Sequence, residues 1–337
     1  MTATAPLPIS GLGPHGERAA PPARVELSPA QVEEARSRNF RVAVVMHTLD
    51  SDFARQQLQG LAGTLGDCGA AVVEVVDCGF APEAQIAALD RFADLRPDAV
   101  VSLPVANVAV AEAHARLGRA GIRLVLLDNV PTGLLPGRDY ATLVSSDNFG
   151  LGRTAAELLS PHLPQGTEVG VLGYSADFFA TNEREIAFGQ CIRTRRPDLR
   201  LRTARFASIQ TAGEAAASLV ADHPELAGLF VVWDTPAREA VAAFGRQAWS
   251  APVATVDLGR EAALYLARGG PVVAVAAQQP HHQGVAAAQA AVLSMLGEVT
   301  PGWVALPGLP VTRTNVIESF QAVWRSPAPR DVLESTW

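Results

Sequence analysis

Seven places in this 337-residue chain follow a short apolar run with side chains that can hydrogen-bond. His47, Ser51 and Phe53 lie beyond Val42–Met46, Asp128-Asn129 beyond Leu124–Leu127, and Ser145-Ser146-Asp147-Asn148 at the end of a third run. Asp177, Phe179, Asn182, Glu183 and Arg184 follow Glu168–Leu172; Trp233-Asp234, Asp257 and Gln278-Gln279 follow three more. Carboxylates, amides and hydroxyls are interleaved with aromatic rings. A polyhydroxyl ligand calls for that mixture, because every hydroxyl needs a donor and an acceptor, which Asn and Gln offer together and Asp supplements. The C–H faces of such a ligand are apolar and suit flat rings. One Asp after a strand can equally be a helix N-cap, and one Phe at a helix start can be core. Recurrence at successive strand ends selects the ligand-binding reading.

Other chemistries find less support. All 27 basic residues are arginine, which excludes Schiff-base catalysis and a phosphate-loop lysine. A net charge of −7 argues against a nucleic-acid partner, which needs a basic face. No HExxH or GxSxG signature surrounds the histidines. His281 and His282 are adjacent at the start of an expected helix, where neighbours diverge, so no shared metal is expected. Gly11-Leu-Gly-Pro-His-Gly16 fits the dinucleotide fingerprint in letters, but no strand precedes it and Pro14 stands where the turn should enter a helix. No cofactor is expected. Cys68, Cys78 and Cys191 lack CxxC spacing and read as buried apolar groups, with a Cys68–Cys78 bridge left open.

The elements that must position these groups follow from patterning. Hydrophobic content of 48% and mean hydropathy of +0.16 describe a chain that folds, without a run of about 20 apolar residues for a membrane span. Residues 1–28, rich in Pro and Gly, read as a disordered leader without a readable secretion signal. Ser28 as N-cap and Pro29 at the first helical position predict a lead-in helix over 29–40. From Arg41, apolar strands at 42–46, 71–76, 99–103, 124–127, 142–144, 168–172, 229–232, 253–256 and 272–276 alternate with amphipathic helices. The fold class is α/β: two doubly wound sheets of five or six parallel strands, the pattern restarting after Val144. Ligands of such sheets sit beyond the carboxyl ends of the strands.

From about Arg41 to Val316 the chain resembles the ribose-type substrate-binding proteins of ABC importers, which share their fold with the effector domains of LacI-type repressors. Val44 to Phe53 leading to Gly60, Gly121 to Asn129, Val144 to Gly152, Phe230 to Asp234, Val256-Asp257 and Ala277-Gln278 carry the likeness. It implies the type I periplasmic-binding fold, with lobes at 41–145 plus 279–308 and at 146–278 plus 309–325, and a tail over 326–337. Three hinge crossings are expected near Ser145–Ser146, near Gln278, and between Leu306 and Thr312. It further implies that His47, Ser51, Phe53, Asp128 and Asn129 from one lobe, and Phe179, Asn182, Trp233, Asp257 and Gln278 from the other, bind a monosaccharide or sugar alcohol in an interlobe cleft that closes on it. Where ribose binders carry Arg, this chain has Asn129 and Asn182, and Trp233 and Leu103 stand where Asn is usual. The expected protein is a monomeric, extracytoplasmic binding component whose partners are ABC permease subunits, and not an enzyme. A ligand-sensing regulatory or chemosensory domain of the same fold is the alternative, with an enzyme acting on a small polyhydroxy substrate behind it. The leader holds no helix-turn-helix.

Overall fold

The computed structural model describes residues 8–247 and 249–335. Among them the strands are β1 (Arg41–Met46), β2 (Ala71–Asp77), β3 (Ala99–Ser102), β4 (Arg123–Leu127), β5 (Thr142–Ser146), β6 (Glu168–Tyr174), β7 (Arg200–Phe206), β8 (Leu226–Val231), β9 (Val253–Val256), β10 (Val272–Ala277), β11 (Trp303–Leu306) and β12 (Leu309–Val311). The helices are α1 (Pro29–Arg38), α2 (Asp52–Asp67), α3 (Pro82–Leu95), α4 (Ala111–Arg119), α5 (Asn148–Leu159), α6 (Phe179–Arg195), α7 (Ile209–Asp222), α8 (Asp234–Gln247), α9 (Arg260–Arg268), α10 (Pro280–Met295), α11 (Val316–Trp324) and α12 (Arg330–Ser335).

Two units share one plan. The first, residues 12–146 with 279–306, has sheet order β2-β1-β3-β4-β5-β11, parallel throughout. The second, residues 147–278 with 307 onward and the stretch before Leu12, has order β7-β6-β8-β9-β10-β12, parallel except for β12. Strand order reverses beside β1 in one sheet and beside β6 in the other, the switch points at which open α/β sheets bind ligands. The chain passes between units after Ser146, Gln278 and Leu306, and once more after Gly11.

Three strands are not among those expected, and each lies at a sheet edge. β7 carries Arg200, Arg202 and Arg205, whose charges find Glu168 and Glu185. An edge strand has solvent beside it, so charge there is tolerated and discourages further pairing. β11 is four residues long, and β12 contains Pro310, which lacks the N–H an interior strand needs.

The leader is the main correction. Residues 8–28 are not disordered: Ala20 pairs with β11 through Ala20 N–H to Trp303 O (2.9 Å) and Ala305 N–H to Ala20 O (3.1 Å), and Val25 is fully buried. The N–H groups of Ser10 and Gly11 donate to the Asp147 carboxylate at 2.6 and 3.0 Å. Order comes from hydrogen bonds to distant residues, which Pro and Gly permit without regular structure of their own. The Gly11–Gly16 stretch forms a turn closed by Gly13 N–H to Glu17 O (2.8 Å), unlike a dinucleotide loop. The leader's first seven residues lie outside the described ones. α1 ends at Arg38 on the left-handed Asn39, and the expected tail carries α12, with Val332 buried.

Helix pairs in both units meet at glycine. A Cβ on Gly60 of α2 would collide with the His281 carbonyl of α10, one on Gly284 with the Gln57 carbonyl, and one on Gly152 of α5 with the Arg184 carbonyl of α6. These contacts fix the helix starts that stand at the carboxyl ends of the sheets. Gly284→Ala therefore lowers stability by about 1–3 kcal/mol through overpacking. Gly63→Ala, at an exposed α2 position with open space around it, raises stability by up to about 1 kcal/mol. Urea denaturation of both variants measures the contrast.

Two histidines are held neutral. His114 of α4 is fully buried, its Nδ1–H donating to Val110 O and its Nε2 accepting from Ser102 Oγ, both at 2.8 Å. Burial lowers it to about 4. His47, just after β1, is likewise lowered to about 4 by burial, partly opposed by Asp77. Between pH 6.5 and 4 the unfolded chain binds protons that the folded chain does not. Stability is therefore complete above pH 6.5 and falls by about 1.4 kcal/mol per pH unit for each histidine as the solution is acidified. In His114→Gln, the slope of unfolding free energy against pH over this window drops by about one proton, readable from urea titrations at pH 4.5 to 6.5.

Candidate functional site

In the first unit the predicted residues gather at the carboxyl edge of the sheet. His47 directly follows β1, its Nδ1 sealed from solvent and its ring edge-on to Phe80 at 4.9 Å. A neutral imidazole can both donate to and accept from a hydroxyl. Ser51 caps α2 by accepting from Ala54 N–H (3.2 Å), and Phe53 is half-buried in the helix's first turn. Asp128 directly follows β4 in the left-handed region, φ 55°, where Asp is more tolerant than most residues. Its N–H donates to Val144 O (3.0 Å), and its Oδ2 accepts from Gln57 Nε2 (3.0 Å). Asn129 is buried and donates to Pro104 O at 3.3 Å.

The second unit repeats the device. Asp257 follows β9 at φ 72°, its N–H donates to Ala276 O (3.3 Å), and its Oδ1 accepts from Gln278 Nε2 at 2.6 Å. Burial raises its carboxyl above the ordinary range, against the Arg184 charge and the Gln278 amide. Arg184, itself buried, donates from Nε to Asn148 Oδ1 (2.9 Å) and from Nη1 to Val232 O (3.0 Å). Trp233, at the switch point beside β6, meets Tyr174 and Phe206 edge-on at 5.4 and 5.1 Å, so one ring of the predicted set is braced by two others. Asn182 donates to Asp177 Oδ1 (2.7 Å), and Phe179 opens α6 half-buried. Asp234 Oδ2 accepts from Gly259 N–H at 2.8 Å, tying the loop after β9 to the start of α8.

Five predicted residues thus stand at one carboxyl edge and five at or near the other; Asp257 and Gln278 hydrogen-bond directly. Sequence reasoning passed over Gln57 and Gln283 as candidates and named Arg184 only among the strand-end groups, outside the ligand set. Each interrupts an apolar helix stripe: Ala54-Gln57-Leu61-Leu65 in α2, Gln283 among the alanines of α10, and Ala180-Thr181-Arg184-Ala187-Phe188 in α6. A polar residue on a buried stripe needs a partner, and that was the readable signal. Among the described residues no cluster of His, Cys, Asp and Glu could hold a metal, and no helix is long and apolar enough to cross a membrane.

Residues 42–298 match the family described as periplasmic binding protein domain. A comparison with curated proteins found no match. Among solved structures, an ABC transporter solute-binding protein from Agrobacterium vitis with bound α-D-tagatopyranose aligns with TM-score 0.77 and 20% identity over 86% of this chain and 100% of that one. One from Mycobacterium smegmatis with bound glycerol gives 0.76 and 21% over 86% and 99%. A carbohydrate transporter solute-binding protein from Agrobacterium radiobacter with D-arabinose gives 0.75 and 18% over 85% and 98%. At these identities the likeness establishes the fold: two α/β units of the type I periplasmic-binding kind.

Removing the Arg184 charge leaves Asp257 buried without its main electrostatic counterweight. Arg184→Met also removes the hydrogen bonds to the Asn148 and Val232 oxygens, and it lowers the unfolding free energy at pH 7.5 by about 1–3 kcal/mol. Because Asp257 can then take up a proton, the loss shrinks at pH 5, with urea denaturation at the two pH values as the check. Equal losses at both would separate Arg184 from the carboxylate.

Proposed function

The chain belongs to the periplasmic binding protein domain family, a family of binding proteins rather than enzymes, and from that premise we propose that it is the solute-binding component of an ABC-type carbohydrate importer. Its ligand is a monosaccharide or sugar alcohol, its partners are the permease subunits, and it works as a monomer outside the cytoplasm. The observation that carries this reading is the repeated carboxylate. Asp128 and Asp257 each end a buried strand in a left-handed conformation and each accept a glutamine amide. A carboxylate has about four acceptor positions and, when ionised, no donor, which suits it to meet ligand hydroxyls. Ser51, Asn129, Asn182 and Gln278 add amides and hydroxyls, neutral His47 adds a two-way partner, and Phe53, Phe179 and Trp233 add apolar faces for the C–H side of the ligand.

The substitution of Asn129 and Asn182 for the arginines of ribose binders lowers the number of fixed guanidinium forks. That favours ligands other than ribose, including acyclic alditols. The bound arabinose, tagatose, glycerol and allitol of the similar structures define the range to be tried. Hinge closure belongs to the proposal: a ligand that gains hydrogen bonds from both sets of residues shifts the chain toward the state in which both are satisfied.

Calorimetric titration with D-arabinose, D-tagatose, glycerol and allitol tests the reading. At least one binds without turnover, and Asp128→Asn and Asp257→Asn each weaken that binding about 30-fold or more, the size of a lost charge-assisted hydrogen bond, while the ligand-free melting profile stays cooperative. Unchanged affinity in both variants removes the two carboxylates from the site. Steady conversion of any of the four favours the enzyme alternative.

A further inference from the structure

We propose that Gln57, with Gln283 behind it, is a positioning residue that fixes the orientation of the Asp128 carboxylate and thereby sets affinity for the polyol. The inference rests on the reading of Asp128 as a ligand contact. Gln57 is fully buried in the apolar stripe of α2, a place where an amide is tolerable only when paired. Its Nε2 donates to Asp128 Oδ2 and to Gln283 Oε1, both at 3.0 Å. Gln283 Nε2, from α10, donates in turn to Ser146 Oγ at 2.7 Å. The direction of this chain is set by its two amides, and it has one consequence: Asp128 Oδ2 is held in place as an acceptor of the Gln57 N–H, which orients the carboxylate.

Backbone geometry makes the arrangement rigid. Gly60 and Gly284 bring α2 and α10 into direct main-chain contact, so both amides start from fixed positions. Asp128 sits in a left-handed conformation that depends on its surroundings to persist. The chain of amides reaches Ser146, the last residue before the chain passes into the second unit. Gln57 itself need not touch the sugar, and its influence on affinity runs through the carboxylate.

A double-mutant cycle isolates that route. Gln57→Met retains the side-chain length and removes both N–H donors; Gln283→Met does the same one step further back and serves if the first variant folds poorly. Each is made alone and with Asp128→Asn, titrated with D-arabinose, D-tagatose and allitol, and melted without ligand. The expected result is an affinity loss of about 10-fold for Gln57→Met and a smaller loss for Gln283→Met, both vanishing in the Asp128→Asn background. A loss of equal factor in both backgrounds, or none in either, overturns the positioning role. If Asp128→Asn alone leaves affinity unchanged, the reading of the site itself fails, and the positioning role with it.

Discussion

A carboxylate taken out of water must be met by donors, or the chain cannot keep it charged. That constraint organises both units. Asp128 and Asp257 stand where a parallel strand gives way to a loop, the position at which a side chain faces the space beyond the sheet. Each is buried, each adopts a backbone conformation few residues accept, and each is met by a glutamine amide. Arg184 adds an opposite charge for Asp257. These donors fix the direction in which each carboxylate points.

Packing serves the same end. Glycine contacts between α2 and α10, and between α5 and α6, place helix starts at the carboxyl edges of the sheets, and from those helices come Gln57, Gln283 and Arg184. The aromatic group of Tyr174, Phe206 and Trp233 gives the second unit a braced ring face at its switch point. Neutral His47 and His114 are the acid-sensitive part of the first unit, since burial and not a salt bridge determines their state.

Much of this was legible in the residue order. Apolar runs of four to six residues marked the interior strands, since a strand covered on both faces has no polar alternation. The Asp after Leu127 and the Asp after Val256 stood out as candidates because strand ends are where such sheets bind. Of the edge strands, β2 was read, but three were not: β7 carries arginines that solvent tolerates, β11 is four residues long, and β12 contains a proline. The leader was misjudged because Pro and Gly content reports only local preference, whereas Ala20 is ordered by β11, far away in sequence. Gln57 was passed over, and Arg184 left outside the ligand set, for a related reason: their hydrogen bonds reach partners 71 and 48 residues distant, and for Gln57 only the break in an apolar stripe hinted at one.

Backbone deuterium exchange, with and without the member of the arabinose, tagatose, glycerol and allitol set that binds, tests the central claim most directly. The account predicts added protection around Asp128-Asn129 and Asp257-Leu258 together with the loops at Ser51–Phe53 and Trp233-Asp234, and none on the outer faces of α7 and α8. Protection absent from both aspartate segments while ligand is bound would contradict it.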